Sequence, residues 1–205
     1  MQFHQEENGL KAELLTYTSL EGIEKNFPDL PWRNYLPHLS YTFAVEKISR
    51  ACSHQLVRHR VASFSQQSQR YITIKNLDKK VVTPPTIGEN EGFNNLIEQA
   101  SDAYQRLVDQ GAPKEDARFV LPNAAETSLL MTMDGASLMH FLGLRTCNRA
   151  QWEIRSLADS MLEQLREGEP RVFNNAGPYC YQLNYCPEGR FTCGKMDEAV
   201  ERYSV

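Results

Sequence analysis

Residues 38–45, His-Leu-Ser-Tyr-Thr-Phe-Ala-Val, alternate apolar with polar and are rich in aromatic and β-branched side chains, so this span predicts a strand. The period then changes. Ile48, Ala51, Cys52 and Leu56 fall on one face of a helix, predicted over residues 48–57. Upstream, residues 11–17 can form a short strand, and the segment 18–34 is punctuated by Pro28 and Pro31. Residues 71–74 and 80–83 read as short strands before Pro84 and Pro85. Phe93, Leu96, Ile97, Ala100, Tyr104 and Leu107 mark an amphipathic helix closed by Gly111. Pro113 opens a short helix over residues 113–121 that carries Arg118, whose plain structural partner would be Glu115.

Residues 126–133 can be a buried strand, and Asp134 is suited to cap a helix running to Arg145. A further helix over residues 151–165 turns Ile154, Leu157, Ala158, Met161, Leu162 and Leu165 inward. Strands mixed with long helices, without regular βαβ alternation, favour an α+β or irregular α/β fold. A length of 205 residues suits a single domain (1–205), with a turn-rich, cysteine-bearing tail at about 170–205.

Composition narrows the function. Hydrophobic content of 41% with 23% charged residues is that of a globular chain, and a net charge of −4 argues against a general nucleic-acid binder. No apolar run approaches the roughly 18–20 residues of a membrane span. The N-terminal stretch 1–7 is polar and acidic with no apolar signal core, and five cysteines are an odd number. A soluble cytoplasmic protein without disulfides is expected.

Against that acidic background residues 58–70 stand apart: three arginines, one histidine, three serines and three glutamines, with no acidic side chain. Guanidinium forks fit phosphate and carboxylate oxygens, so the stretch is equipped for an anionic ligand. Capping of the preceding helix would explain Arg58, His59 and Arg60 but leaves Ser63, Ser68 and Arg70 unaccounted for. Arg118 and Arg145 join Arg58, Arg60 and Arg70 as arginines at or near element ends. His140, within a predicted helix, is by default a structural histidine. Cys52 belongs to an apolar helix face.

Cys180, Cys186 and Cys193 have five and six residues between them rather than the about two to four of a zinc knuckle, so free thiols and no metal site are expected, with or without Cys147. Glycine-rich dinucleotide and phosphate loops and the Gly-x-Ser-x-Gly elbow are absent. With no evident nucleophile, demanding chemistry would need a cofactor.

Arg58-His59-Arg60-x-x-Ser63-x-x-x-x-Ser68-x-Arg70 resembles the signature of the flavin-dependent thymidylate synthases at each of its six defined positions. Residues 137–145 and 148–154, and Arg118 ahead of Leu121-Pro122, are similar to that family too, over about residues 40–165 in all. The resemblance implies an α/β fold with a mixed sheet and long helices, and a homotetramer with active sites shared between subunits. It implies binding of FAD, deoxyuridine monophosphate (dUMP), methylenetetrahydrofolate and NADPH, and methylation of uracil C5 to give thymidylate. By position, Gln55, Arg58, Gln66, Gln67, Ser68, Gln69, Arg70 and Arg118 would hold the nucleotide, and Arg145 would act on the uracil. Arg58, His59, Arg60, Gln66, Asp134 and His140 would lie on the FAD side.

The sequence departs from the family pattern at Gln66, where a glutamate is common, and at Asp134-Gly135-Ala136, in place of Asn-Ala-Arg. These departures keep two other readings open: a related C5 hydroxymethylating enzyme, and a nucleotide-binding homologue that has lost tight FAD binding.

Overall fold

A computed structural model describes residues 9–205; the acidic stretch 1–7 lies outside the described residues. Four strands, β1 (Lys11–Tyr17), β2 (Ser40–Ser49), β3 (Ser63–Gln66) and β4 (Glu126–Asp134), form one sheet in the order β1-β2-β4-β3. The expected combination of one sheet with long helices holds, but every strand pairing is antiparallel rather than mixed. Alternation along β2 buries Tyr41, Phe43 and Val45 on the same face as Leu129, Met131 and Met133 of β4. The opposite face of β4 is half-buried or, at Leu130, exposed.

Short helix α1 (Leu20–Glu24) follows β1, and α2 (Arg50–Leu56) follows β2 directly. Next come α3 (Glu91–Asp109) and α4 (Lys114–Ala117) between β3 and β4, then α5 (Gly135–Arg145) and α6 (Trp152–Gly168). The tail holds α7 (Pro170–Phe173), α8 (Tyr179–Leu183) and α9 (Met196–Tyr203). Among the described residues no helix is long and apolar enough to cross a membrane.

Helix α6 supplies the spine of the core. Ile154, Leu157, Ala158, Met161, Leu162 and Leu165 are buried as the spacing predicts, against the sheet, α2 and α5. It also fastens the edge strand: Gln164 accepts from the Leu14 N–H (2.8 Å) and donates to the Ala12 carbonyl (2.9 Å). A smaller apolar cluster lies apart, where Ile97 and Tyr104 of α3 are buried with Leu77 and Ala117. That separate packing unit carries α4 and Arg118.

Three predicted elements need correction. The helix expected from residue 48 begins at Arg50, because a bulge at Glu46-Lys47, with Lys47 at φ 57°, shifts the register and returns Ile48 and Ser49 to pairing with β4. Residues 71–74 form no strand; the Ile74 N–H goes to the Tyr104 hydroxyl instead. Residues 80–83 make a single bridge, Val81 to Ala125. Continuing that antiparallel register sets Pro84 opposite Pro122, and neither has an N–H to extend the ladder.

The β2–α2 junction is held by a buried carboxyl. Glu153, 2% exposed, accepts from the Ser49 N–H (2.6 Å) and from the Ser49 hydroxyl, and that hydroxyl oxygen in turn accepts from the Cys52 N–H (2.9 Å). Burial raises the Glu153 pKa, and the two Ser49 hydrogen bonds oppose that rise. Glu153→Ala would leave two buried donors unmatched, and a loss of about 2–3 kcal/mol is expected in urea denaturation. An unchanged midpoint would show that the junction holds without it.

Candidate active site

Asp134 ends β4 and caps α5, accepting from the Ser137 N–H (2.8 Å) and the Ser137 hydroxyl (2.7 Å). The sequence suits it to that role, and its carboxylate is turned to its own helix. Gly135 is required by packing. A Cβ there would stand 2.8 Å from the Leu36 carbonyl oxygen, in the turn that presses on the start of α5. Ala136 and Ser137, the next two residues, face a cleft of about 520 Å³.

That cleft brings together the start of the signature stretch and one face of α5. Arg58, His59 and Arg60 line it on one side, and His140 and Arg145 on the other. Val61, Ala62, Met133 and Leu144 add an apolar floor, and no carboxylate lines it. Arg145, the last residue of α5, donates from Nε to Nε2 of His59 at 3.0 Å. His59 therefore presents a lone pair at Nε2 and is neutral. Burial lowers its pKa to about 4, helped by the neighbouring charges of Arg145 and His140, and its ring packs edge-on against Phe141 at 5.0 Å.

Arg145 is half-buried, and burial lowers its pKa. Among the described residues no carboxylate pairs with it. His140 is exposed rather than a core histidine, and its Nδ1 is hydrogen-bonded to the Tyr179 hydroxyl.

The remaining sequence candidates are not on this cleft. Arg70 and Arg118 meet around Glu115 instead. Arg70 makes a forked pair with the Glu115 carboxylate, Nε at 2.9 Å and the terminal nitrogen at 2.7 Å, while Arg118 donates from Nε to the Glu115 carbonyl at 3.1 Å. The pairing of Arg118 with Glu115 thus goes through the backbone, and the carboxylate goes to Arg70.

Arg50 is near enough to Arg118 for the two charges to act on each other; burial first, then Arg118, lowers its pKa. Close by in sequence, the Ser68 hydroxyl accepts from the Arg70 N–H (3.3 Å), and the buried Gln69 amide nitrogen has no hydrogen-bond partner. Gln66 donates to the Thr127 hydroxyl (3.2 Å), the Gln67 N–H to the Ser128 carbonyl (2.9 Å), and half-buried Gln55 reaches its own helix at Ala51 (3.4 Å).

Sequence reasoning missed β3, because Ser-Phe-Ser-Gln holds a single apolar residue, and it missed Arg50, Ser137 and Tyr179. Arg50 had a usable signal, since it directly follows a serine fit to cap a helix. Among the described residues no group of three or more His, Cys, Asp and Glu side chains is placed to hold a metal ion.

The chain is matched over residues 25–171 by the family model described as thymidylate synthase complementing protein. It is 48% identical to the flavin-dependent thymidylate synthase of Geobacter sulfurreducens over 190 residues, covering 91% of this chain and 82% of that protein. It is 49% identical to the flavin-dependent thymidylate synthase of Nitratidesulfovibrio vulgaris, covering 78% and 70% respectively. Among solved structures, the crystal structure of thymidylate synthase X from Helicobacter pylori with FAD and dUMP superposes with a TM-score of 0.66 at 22% identity, over 80% of this chain and 97% of that one, so the fold is shared. With Arg58 and Arg60 of the signature on one cleft wall and a match of this extent, the chain belongs to the family of flavin-dependent thymidylate synthases.

Proposed function

We propose that the chain is a thymidylate synthase that methylates dUMP to dTMP, with methylenetetrahydrofolate as one-carbon donor, FAD as cofactor and NADPH as reductant. The observation that carries this reading is Arg145, a half-buried guanidinium whose Nε is spent on a neutral imidazole and which no carboxylate among the described residues neutralises. Such a charge is costly without a ligand that takes it up. A uracil ring ionising at N3 is a fitting one, because a fixed guanidinium stabilises the developing negative charge and raises electron density at C5.

The cleft suits an anionic dinucleotide: Arg58 and Arg60 offer forked donors, the floor is apolar, and the Asp134 carboxylate, next in sequence to the lining residues, is occupied by Ser137. Bound FAD, reduced by NADPH, supplies the reducing equivalents that complete the methyl group. Arg58, His59, Arg60 and His140 would hold it, and Asp134 would serve it only indirectly, by fixing Ser137 and the start of α5. His59 orients Arg145, while Tyr179 fixes His140.

Arg70, Arg118, Ser68 and Gln69 would form the phosphate end of the nucleotide site, with Arg50 behind them. Glu115 currently occupies the fork of Arg70, on the surface where such a pair is weak, so a phosphate dianion can displace it. Gln66, Gln67 and Gln55 would be secondary contacts.

These arginines do not line the cleft of their own chain, which favours a homotetramer in which neighbouring subunits complete each site. The exposed apolar residues Val61, Tyr71, Phe119 and Leu130 around β3 and β4 suit such contacts. The whole chain is taken as one catalytic domain, and the cytoplasm as its compartment, where five unpaired cysteines stay reduced.

Purified protein is expected to take up FAD, seen in the visible spectrum, and to form thymidylate from dUMP, methylenetetrahydrofolate and NADPH, identified by mass spectrometry. A colourless protein that binds dUMP but makes no product would overturn the reading, as would a hydroxymethylated product. Arg145→Ala should lower kcat/KM by about 3 kcal/mol, more than a hundredfold, with FAD content retained; near-normal turnover would remove Arg145 from the chemistry.

The His59 imidazole titrates near 4 in the folded protein and near 6.5 in the unfolded chain. Between those values the unfolded chain binds more protons, so stability falls as pH drops through this window. In His59→Gln the fall measured by urea denaturation from pH 6.5 to 4 should be shallower than in the wild type, and parallel curves would contradict the neutral histidine.

A further inference from the structure

Four of the five cysteines converge outside the cleft. Cys147 lies in the loop after α5, Cys180 in α8, and Cys186 and Cys193 in the turn-rich segment before α9, yet all four line one cavity of about 160 Å³. None is fully buried, whereas Cys52 is packed in the core. The thiols of Cys147, Cys186 and Cys193 are all within electrostatic reach of Cys180.

The segment that brings them there has little else to hold it. Between α8 and α9 it consists of turns, with Asn184, Gly189 and Gly194 at positive φ, and Leu183, Tyr185 and Phe191 are exposed. An irregular stretch that buries so little apolar surface gains a fixed conformation from a staple.

A single zinc ion does not fit. Zinc takes thiolates at about 2.3 Å, which would draw four sulfurs to within about 4 Å of each other. No such grouping of three or more ligands exists among the described residues. The spacing of five and six intervening residues lacks the zinc knuckle, and the cavity has room for several waters where one ion needs almost none. A cubane cluster fits better, because each thiolate binds a different iron and the sulfurs stay apart around a central body. The charge also matches. Four thiolates on an oxidised cubane leave a net negative site, and the cavity lining carries Arg145 and Arg149 against one acidic residue, Glu188.

We propose that Cys147, Cys180, Cys186 and Cys193 ligate an iron–sulfur cluster of the [4Fe–4S] class, which fixes the C-terminal segment against the end of α5. This departs from the expectation of free thiols. The site adjoins the catalytic cleft, since Leu144 and Arg145 line both cavities, but it rests on none of the reasoning about flavin or nucleotide.

The test is metal and acid-labile sulfide analysis of the full-length protein, purified without oxygen and incubated with sulfide and with ferrous and ferric iron in equal amounts, the two valences an oxidised cubane holds. About four iron and four sulfide per chain are expected, with an electron paramagnetic resonance signal from the dithionite-reduced cluster. Cys52→Ser should keep the full iron content, and Cys193→Ser and Cys186→Ser should each lose most of it. Stoichiometric zinc with no iron, or wild-type protein that takes up neither iron nor sulfide, would overturn the proposal. The wild-type result decides whether or not a cysteine variant folds. Because iron and sulfide are the readout, failure here would leave FAD binding and thymidylate formation untouched.

Discussion

The buried contact between Ser49 and Glu153 sets the direction of everything that follows β2. Ser49 is the last residue of the strand and the cap of α2, and its N–H and hydroxyl both end on a carboxyl carried by the core helix α6. A serine whose N–H and hydroxyl are both committed in this way restricts how the chain can turn. Because α2 is only seven residues long, the turn fixed at its start is still in force at its end, where Arg58, His59 and Arg60 emerge. The cleft is therefore as rigid as the α6 packing beneath it. The Arg145–His59 hydrogen bond closes the loop between the two helices that carry the site.

The opposite half is built on different foundations. Arg70 and Arg118 are positioned by α4 and by the small apolar cluster around Tyr104 and Ile97, outside the main core. Fewer buried contacts hold this part, which suits the role proposed for it, the exchange of an internal carboxylate for a ligand phosphate. Under that proposal the wall that faces the ring is rigid and the end that takes the phosphate is compliant.

Much of this was legible in the chain. Strong periodicity gave α3 and α6, and alternation gave β2, because in each case one face meets a core and the pattern records it, while α5 was legible from its Asp134 cap and its apolar run. The signature residues Arg58, His59 and Arg60, with distant Arg145, do share a cleft. What could not be read depended on tertiary partners. Pairing of Ser63–Gln66 rests on β4 offering a free edge, not on local preference. Failure of the strand at residues 80–83 depends on which proline falls opposite which. Glu153 looked like an ordinary first-turn acid of a helix, and its burial comes from the approach of a strand end some hundred residues earlier. Likewise nothing local in Cys147 foretells its meeting with the tail.

The substitution of Asp134-Gly135-Ala136 for the pattern common among relatives looked like one change bearing on one ligand. In the folded protein it separates into two unrelated constraints and one free position. Asp134 belongs to the helix cap, Gly135 to the close approach of the Leu36 carbonyl, and only Ala136, exposed on the cleft, is unclaimed by the scaffold. The mutational freedom of this corner is therefore confined to a single side chain. A designer seeking to add charge for the cofactor has position 136 to work with, and would have to rebuild the turn at residues 36–38 before touching its neighbour.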